Sequence, residues 1–331
     1  MTPELEAFIR SLIQVVPTDE LAWPEPAPAT PSDRHDWELR VASLREAHNQ
    51  RTLDVASAAG TLLPFSPPTA EVSVPVEGGQ VTAQVYAPSG EPGPHPAVVH
   101  FHGGGFWMGD GSVLRRLDGP WCHQLAQDLN AVVINVDYRL APEHRFPVPV
   151  EDGYAVVRWV SENSAALGVD PERVAVHGVS AGAFVAATVC LLARARSGPP
   201  IRFQALMAPA VLVDPAARYP AVSSLPGLDE AEIRRCAELL MGPEPYDPRS
   251  VSPLLAEDMS GLPDAFVATC AFDVLCADGE RYAQRLSDAG VQVTARRYDA
   301  VHVIARPETD AQRYADLLSA LRGALAPRPR D

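Results

Sequence analysis

Apolar residues follow two different patterns between residues 71 and 177. The runs Glu71–Val76 and Val81–Tyr86 alternate apolar with polar positions, which is typical of strands exposed on one face. Three shorter runs are continuously apolar: Ala97–Phe101, Ala131–Val136 and Arg173–His177. Continuous apolar runs of this length are typical of strands buried on both faces of a parallel sheet.

Helical patterns lie between and after these runs. Val156, Trp159 and Val160 share one face of Val150–Asn163, and Ala181–Arg196 is almost entirely apolar, which implies burial. Further strands are predicted at Arg202–Met207, Ala265–Ala271 and Val291–Tyr298, and further helices at Ala277–Ala289 and from about Thr309 to Leu325. Because strands alternate with helices, we expect a doubly wound α/β fold with a mostly parallel sheet and helices on both faces.

Two segments do not fit this alternation. Residues 1–60 form two amphipathic pieces, the second at Trp37–Ala59, separated by the proline-rich stretch Trp23–Pro31. Residues 211–255 are rich in proline and glycine around a short helical piece, Asp229–Met241. We therefore predict a core of residues 61–210 and 256–331, with an N-terminal helical cap segment (1–60) and a cap insertion (211–255). The apolar candidates for lining a pocket beneath the cap are Trp23, Trp37 and Leu240.

Composition excludes several kinds of function. All 27 basic residues are arginine, so mechanisms that need a lysine are excluded: Schiff-base chemistry, a Walker-type phosphate loop and a Ser-x-x-Lys acylation site. With 42 acidic residues the net charge is −15, which argues against nucleic acid and anionic membrane surfaces as partners.

The chain shows no sign of export. The first 14 residues carry Glu4, Glu6 and Arg10, unlike a signal peptide, and no stretch of 18 uncharged apolar residues occurs. The five cysteines are widely spaced and form no Cys-x-x-Cys pair, which favours buried thiols over a disulfide framework or a zinc site. We expect a soluble cytoplasmic protein.

A Gly-x-Ser-x-Gly motif, Gly178–Gly182, lies where a buried strand is followed by a buried helix. A serine on such a sharp turn needs small neighbours, and the start of the helix stabilises negative charge. Ser180 is therefore a candidate nucleophile.

A glycine run, Gly103–Gly105, follows an earlier apolar strand and the residue His102. Alone it could be a flexible turn. Together with Ser180 it predicts an oxyanion hole formed by the amides of Gly103, Gly104 and Ala181.

With these motifs the chain resembles the hormone-sensitive lipase family of α/β-hydrolases, over about residues 70–325. The resemblance rests on His-Gly-Gly-Gly at 102–105, Asp-Tyr-Arg-Leu-Ala-Pro-Glu-His at 137–144, the serine motif, Ser-Pro-Leu at 252–254 and Gly-Leu-Pro at 261–263. It implies an α/β-hydrolase fold with a helical cap and a Ser–Asp–His triad in that chain order.

The resemblance also implies the other members of the triad. Asp273 matches the family's acid motif in register, while its neighbour Asp278 is expected to be a solvated charge or one at a helix N-terminus. His302 is the only histidine after Ser180 and is therefore the expected base.

The remaining polar residues of these motifs are interpreted as structural. His102 is expected to anchor the glycine run, and His177 to be a satisfied core histidine. Structural roles are also expected for His144 and for the packing and ion-pair residues Asp137, Arg139 and Glu143.

The chain departs from the family at two places. Val179 stands where the main subgroups carry aspartate or threonine, and Val303-Ile304 replaces the glycine and phenylalanine that normally follow the catalytic histidine. These departures leave the substrate open.

The leading hypothesis is a serine carboxylic ester hydrolase. It would act on neutral, short- to medium-chain or specialised-metabolite esters through an acyl-enzyme on Ser180, with no metal or organic cofactor. One alternative uses the same scaffold for acyl transfer, lactonisation or elimination, as plant dehydratases resembling this family do. Another is a non-catalytic ligand-binding protein like the gibberellin receptors, which lack the triad histidine. Because many family members are dimers, a homodimer is a candidate assembly.

Overall fold

The computed structural model describes residues 1–16, 21–28, 31–90, 92–219 and 228–327. The predicted cap segments are therefore described only in part, since residues 17–20, 29–30 and 220–227 lie outside the described residues. Residues 91 and 328–331 of the predicted core lie outside them too. The division into core and cap stays a prediction.

An eight-stranded sheet runs through the centre of the molecule. Its strands are β1 Ala70–Val76, β2 Gly79–Tyr86, β3 His95–Phe101, β4 Val132–Asp137, β5 Val169–Val179, β6 Phe203–Met207, β7 Asp264–Cys270 and β8 Val293–Tyr298. Their order in the sheet is β1-β2-β4-β3-β5-β6-β7-β8. The pairs β1–β2 and β2–β4 are antiparallel and the other pairs are parallel, which confirms the mostly parallel α/β sheet.

The longer helices cover the sheet and its edges. They are α1 Pro3–Val15, α2 Pro31–Ala58, α3 Gly119–Leu129, α4 Val148–Glu162, α5 Ala181–Ala195, α6 Glu230–Met241, α7 Cys276–Asp288 and α8 Pro307–Ala324. Short helical turns occur at residues 111–118, 164–167 and 248–255. No helix within the described ranges has both the length and the apolar character needed to cross a bilayer.

Alternate residues of the central strands pack on opposite faces, as the pleat of a strand requires. In β3, Val98 belongs to the core formed with Leu125 of α3 and Leu317 of α8, whereas Val99 belongs to the core formed with Phe184 of α5. The two faces are thus buried under different helices. This explains why the β3 run is apolar throughout.

Helix α3 was not predicted from the sequence. Its buried residues nevertheless carry a helical signal, since Cys122, Leu125, Ala126 and Leu129 recur at spacings of three, one and three. A hairpin of β9, Ala300–Val301, and β10, Ile304–Ala305, was also not predicted. This hairpin carries His302 in its turn.

Candidate active site

Ser180 lies at the sharp turn between β5 and α5. Its backbone has φ +54° and ψ −114°, and its amide donates a 2.9 Å hydrogen bond to the carbonyl oxygen of Met207 at the end of β6. A residue other than glycine rarely adopts such a conformation unless the surrounding structure enforces it. The turn holds Ser180 above the carboxyl edge of the sheet.

The flanking glycines are required by close backbone contacts. A Cβ at Gly178 would collide with the backbone of Gly182, and a Cβ at Gly182 would collide with the carbonyl groups of Phe101 and His102. Three backbone segments therefore meet at one point: the start of α5, the end of β5 and the end of β3. The Gly-x-Ser-x-Gly pattern is a packing requirement of this crossing.

His302 occupies the tight turn of the β9–β10 hairpin. Its Nε2 lies 2.9 Å from Oγ of Ser180, across 122 residues of sequence. Val303 follows it with φ +51°, and the amide of Ile304 donates to the carbonyl oxygen of His302 at 2.6 Å. Val303, where the sequence departs from the family pattern, thus lies in the turn that positions the imidazole of His302.

Asp273 follows β7 and lies on the far side of the same imidazole. Its Oδ2 is 2.8 Å from Nδ1 of His302, and its Oδ1 accepts a 3.0 Å hydrogen bond from the amide of Leu275. The carboxyl is 2% exposed. The amide of Phe272 donates to the carbonyl oxygen of Ala300 at 3.0 Å, so the acid loop and the histidine hairpin are joined through their backbones.

The sequence placed Asp278 as a solvated or helix-terminal charge. The second of these expectations is right, since Asp278 lies in the first turn of α7. The first is wrong, since the residue is only 6% exposed. Burial raises the pKa of this carboxyl above its usual value. Its Oδ1 accepts from Arg281 at 3.1 Å.

The predicted oxyanion run passes directly beside Ser180. A Cβ at Gly103 would lie 3.7 Å from Cβ of Ser180, and Gly104 has φ +113°. Among the described residues, the amides of Gly103, Gly104 and Ala181 donate to no other group. Three unpaired N–H groups beside one serine can donate hydrogen bonds to a negatively charged ligand oxygen.

His102 braces this run from behind. Its Nδ1 lies 2.7 Å from the carbonyl oxygen of Gly103, and its ring stacks on Tyr138 with the ring centroids 4.2 Å apart. The hydroxyl of Tyr138 donates to the carbonyl oxygen of His102 at 2.8 Å. His102 therefore makes the loop-anchoring contacts expected from the sequence.

Three of the other predicted structural residues, Arg139, Glu143 and His177, form contacts away from Ser180. Asp152, which is fully buried, accepts three hydrogen bonds from the Arg139 side chain, and Glu143 pairs with Arg45 of α2. His177 meets His100 with their Nδ1 atoms 2.8 Å apart, and its Nε2 has no partner among the described residues. His177 is thus only half satisfied.

Helix α6 lies against the oxyanion run. The Sγ atom of Cys236 occupies the space in front of Gly105, and Glu232 lies one turn earlier on the same helix. Burial raises the pKa of Glu232 above its usual value. Sequence reasoning missed that this carboxyl group lies near the His302 imidazole, because the two residues are 70 positions apart.

The three apolar candidates for the pocket lie in different surroundings. Trp23 packs against Trp107, and their ring centroids are 5.3 Å apart. Trp107 lies two residues after the end of the glycine run. Trp37 and Leu240 are buried, and the indole of Trp37 donates to the carbonyl oxygen of Glu25. Trp23 is the one placed beside the glycine loop.

The described residues contain no group of three or more His, Cys, Asp or Glu side chains arranged to hold a metal ion. The site therefore consists of a serine hydroxyl, an imidazole and a carboxylate in one hydrogen-bonded chain, with free amides beside the hydroxyl. This arrangement can activate an oxygen nucleophile and stabilise an oxyanion.

Known proteins resemble this chain in sequence and in structure. A family model described as the alpha/beta hydrolase fold matches residues 98–305. The esterase LipI of Mycobacterium tuberculosis (strain ATCC 25618 / H37Rv) is 38% identical over 268 residues, which are 79% of this chain and 81% of LipI.

Two solved structures extend the likeness to the fold. EstE1, a thermostable carboxylesterase cloned from a metagenomic library, superposes with a TM-score of 0.76 at 33% identity, over 87% of this chain and 98% of its own. A hyperthermophilic esterase from the archaeon Pyrobaculum calidifontis superposes with a TM-score of 0.79 at 29% identity, over 98% of each chain.

Proposed function

The chain belongs to the hormone-sensitive lipase branch of the α/β-hydrolases and is a carboxylic ester hydrolase, and from this we propose that it cleaves esters through an acyl-enzyme on Ser180. The observation that carries the proposal is the continuous chain from Ser180 Oγ to His302 Nε2, 2.9 Å, and from His302 Nδ1 to Asp273 Oδ2, 2.8 Å.

In the acylation step, His302 Nε2 takes the hydroxyl proton as Ser180 Oγ attacks the carbonyl carbon of the ester. Asp273 accepts the Nδ1–H hydrogen bond, which selects the required tautomer and stabilises the imidazolium. The carbonyl oxygen becomes an oxyanion and is held by the amides of Gly103, Gly104 and Ala181. When the tetrahedral intermediate collapses, the alkoxide leaves with the proton from His302.

In the deacylation step, His302 acts again as the base. It removes a proton from water, the hydroxide attacks the acyl carbon, and the bond to Ser180 Oγ breaks. His302 returns its proton to Ser180 Oγ as that bond breaks, so the products are a carboxylic acid and the free serine. No metal or organic cofactor enters either step.

The proposed substrates are neutral esters of short to medium acyl chains or of specialised metabolites. The support is electrostatic: a chain with net charge −15 and no lysine disfavours anionic substrates and anionic lipid interfaces. A small neutral ester dissolved in water meets no such repulsion.

The test is hydrolysis of the p-nitrophenyl esters from acetate to octanoate. Ser180→Ala should reduce kcat by about 10⁶-fold, and Asp273→Asn by about 10⁴-fold because the imidazole then takes the wrong tautomer. Asp278→Asn, in the first turn of the helix that follows Asp273, is the matched control and should keep kcat within about threefold of the parent. Unchanged hydrolysis by Ser180→Ala, or equal losses in the two aspartate variants, would reject these assignments.

Analysis of the products separates hydrolysis from acyl transfer, because only hydrolysis releases the free acid.

The cytoplasm is the proposed compartment. All five cysteines are free and four of them are buried, which suits a reducing environment. Titration of freshly extracted, denatured protein should find five thiols, and a disulfide would contradict the proposal.

A homodimer is proposed on the family resemblance alone. Sedimentation over a range of protein concentrations tests it. The mass of a single chain at every concentration would reject it.

A further inference from the structure

Helix α2 buries one narrow stripe, and the middle of the stripe is polar. From Trp37 to Leu53 its buried residues recur every four positions: Trp37, Val41, Arg45, Asn49 and Leu53. Residues four apart lie on one face of a helix. Because burying an unpaired polar group is costly, Arg45 (9% exposed) and Asn49 (1% exposed) must find hydrogen-bond partners on the element that this face covers.

Arg45 joins two loops of the core. Its Nε donates to the carbonyl oxygen of Trp107 at 2.6 Å, and its Nη2 donates to that of Ala141 at 3.1 Å. Both terminal nitrogens also contact the carboxylate of Glu143, at 3.0 and 2.7 Å. One guanidinium thus ties the loop after β3 to the loop after β4, and a planar group with five donors is the side chain suited to this task.

Asn49 holds the far end of the glycine loop with both ends of its amide. Its Oδ1 accepts from the amide of Gly109 at 2.9 Å, and its Nδ2 donates to Oδ1 of Asp110 at 2.9 Å. Gly109 has φ +107°, and a Cβ there would collide with the carbonyl oxygen of Gly103. Asn49 therefore fixes the point where the loop folds back onto its own start.

The loop between these anchors has little regular structure of its own. Gly104, Gly105, Phe106 and Gly109 all have positive φ, and for Phe106 this is a strained value of +70°. The internal hydrogen bonds run from the amides of Trp107 and Met108 to the carbonyl oxygen of Gly104, at 3.1 and 3.0 Å. Strained backbone persists only where the surroundings impose it. Here α2 contacts Trp107 and Gly109 on either side of the loop, and the amide of Ala141 donates to the carbonyl oxygen of Phe106 at 2.9 Å.

We infer that Arg45 and Asn49 are positioning residues that set the direction of the Gly103 and Gly104 amides. Helix α2 then contributes to catalysis through the oxyanion hole, as well as covering the core. This inference rests on the proposed function, because it needs those amides to bind the oxyanion.

The test compares Arg45→Met and Asn49→Ala with the parent enzyme. Arg40→Met is the matched control, since Arg40 lies on the exposed face of the same helix. Each core variant should lower kcat by about tenfold to hundredfold with KM changed by less than about threefold, since a misplaced donor weakens transition-state binding only. Arg45→Lys should recover part of the loss.

A second readout addresses the oxyanion itself. A sulfur at the carbonyl position fits an oxyanion hole poorly, so the parent enzyme should prefer p-nitrophenyl acetate over its thionoester analogue. This preference should shrink at least about threefold in Arg45→Met and Asn49→Ala, and stay unchanged in Arg40→Met. A general loss of structure would lower both rates alike.

Two results would overturn the inference: folded variants with kcat within twofold of the parent, or a lower kcat with an unchanged oxygen-to-sulfur preference. If Arg45→Met does not fold, Asn49→Ala decides, since it removes contacts to Gly109 and Asp110 only. Failure of the proposed function would look different, because Ser180→Ala would then keep its activity.

Discussion

The guanidinium of Arg313 on α8 donates a 2.8 Å hydrogen bond to the carbonyl oxygen of Val303. Val303 directly follows His302 in the hairpin turn and holds φ +51°. A β-branched residue in the left-handed region is an outlier. The turn that presents His302 therefore contains a strained residue whose carbonyl group is held from another element.

Replacing Val303 should reveal this strain. Val303→Gly should be more stable than Val303→Ala by about 1 kcal/mol, because only glycine adopts positive φ without a Cβ clash. The side chain is 38% exposed, so little buried surface is lost in either variant. Urea unfolding of the two variants measures the difference.

The control pair is Val55→Gly and Val55→Ala within α2. There the order should reverse, with alanine more stable by about 1 kcal/mol, because glycine is a poor helix former. If alanine is at least as stable as glycine at position 303, the turn is not strained.

Two helical glycines should respond oppositely to alanine. Gly182→Ala should lower the free energy of unfolding by about 2–4 kcal/mol and hydrolysis by at least about 100-fold, because the new Cβ meets the backbone of Phe101 and His102. Gly323→Ala meets open space in α8 and should raise stability by about 0.5–1 kcal/mol without changing kcat. Denaturant unfolding and ester hydrolysis give both results. Tolerance of alanine at Gly182 would contradict the close crossing of β3 and α5.

The meeting of Ser180, Asp273 and His302 could be predicted because each follows a strand of the sheet, and the carboxyl ends of parallel strands lie at one edge. The motifs placed each residue at such an end. The prediction needed only the positions of the strands along the chain and the alignment of its residues with the family's motifs.

The contacts of Arg45 with Trp107 and Asn49 with Gly109 could not be predicted. They join residues about 60 positions apart, through a helix whose buried stripe is polar at its centre. A hydrophobic pattern assigns arginine and asparagine to the surface. The burial of Asp278 was missed for the same reason, since a charge in the first turn of a helix is normally exposed.

The buried pair of Arg139 and Asp152 should be sensitive to removal of one partner. Asp152 is fully buried and accepts Nη2 of Arg139 at 2.6 Å, besides the amide of Arg139 at 3.0 Å. Asp152→Ala leaves the guanidinium largely buried without its counter-charge, so the free energy of unfolding should fall by about 3–5 kcal/mol.

The exposed pair Arg158–Glu162 provides the comparison. Glu162→Ala on the same helix should cost no more than about 0.5 kcal/mol, because solvent screens that pair. Equal losses in the two variants would mean that burial does not determine the contribution of the ion pair.

Asp278 should make stability depend on pH. Because burial raises the pKa of Asp278 in the folded protein, its ionisation destabilises the fold. This cost is absent below the carboxyl pKa of the unfolded chain and complete above the raised pKa of the folded state.

Asp278→Asn removes the charge and should raise Tm by about 2 °C at pH 7–8, with the gain shrinking towards pH 4. Asp288→Asn, on the exposed end of the same helix, should give a smaller effect. A gain for Asp278→Asn that is the same at pH 4 and pH 8 would show that the buried charge is not its cause.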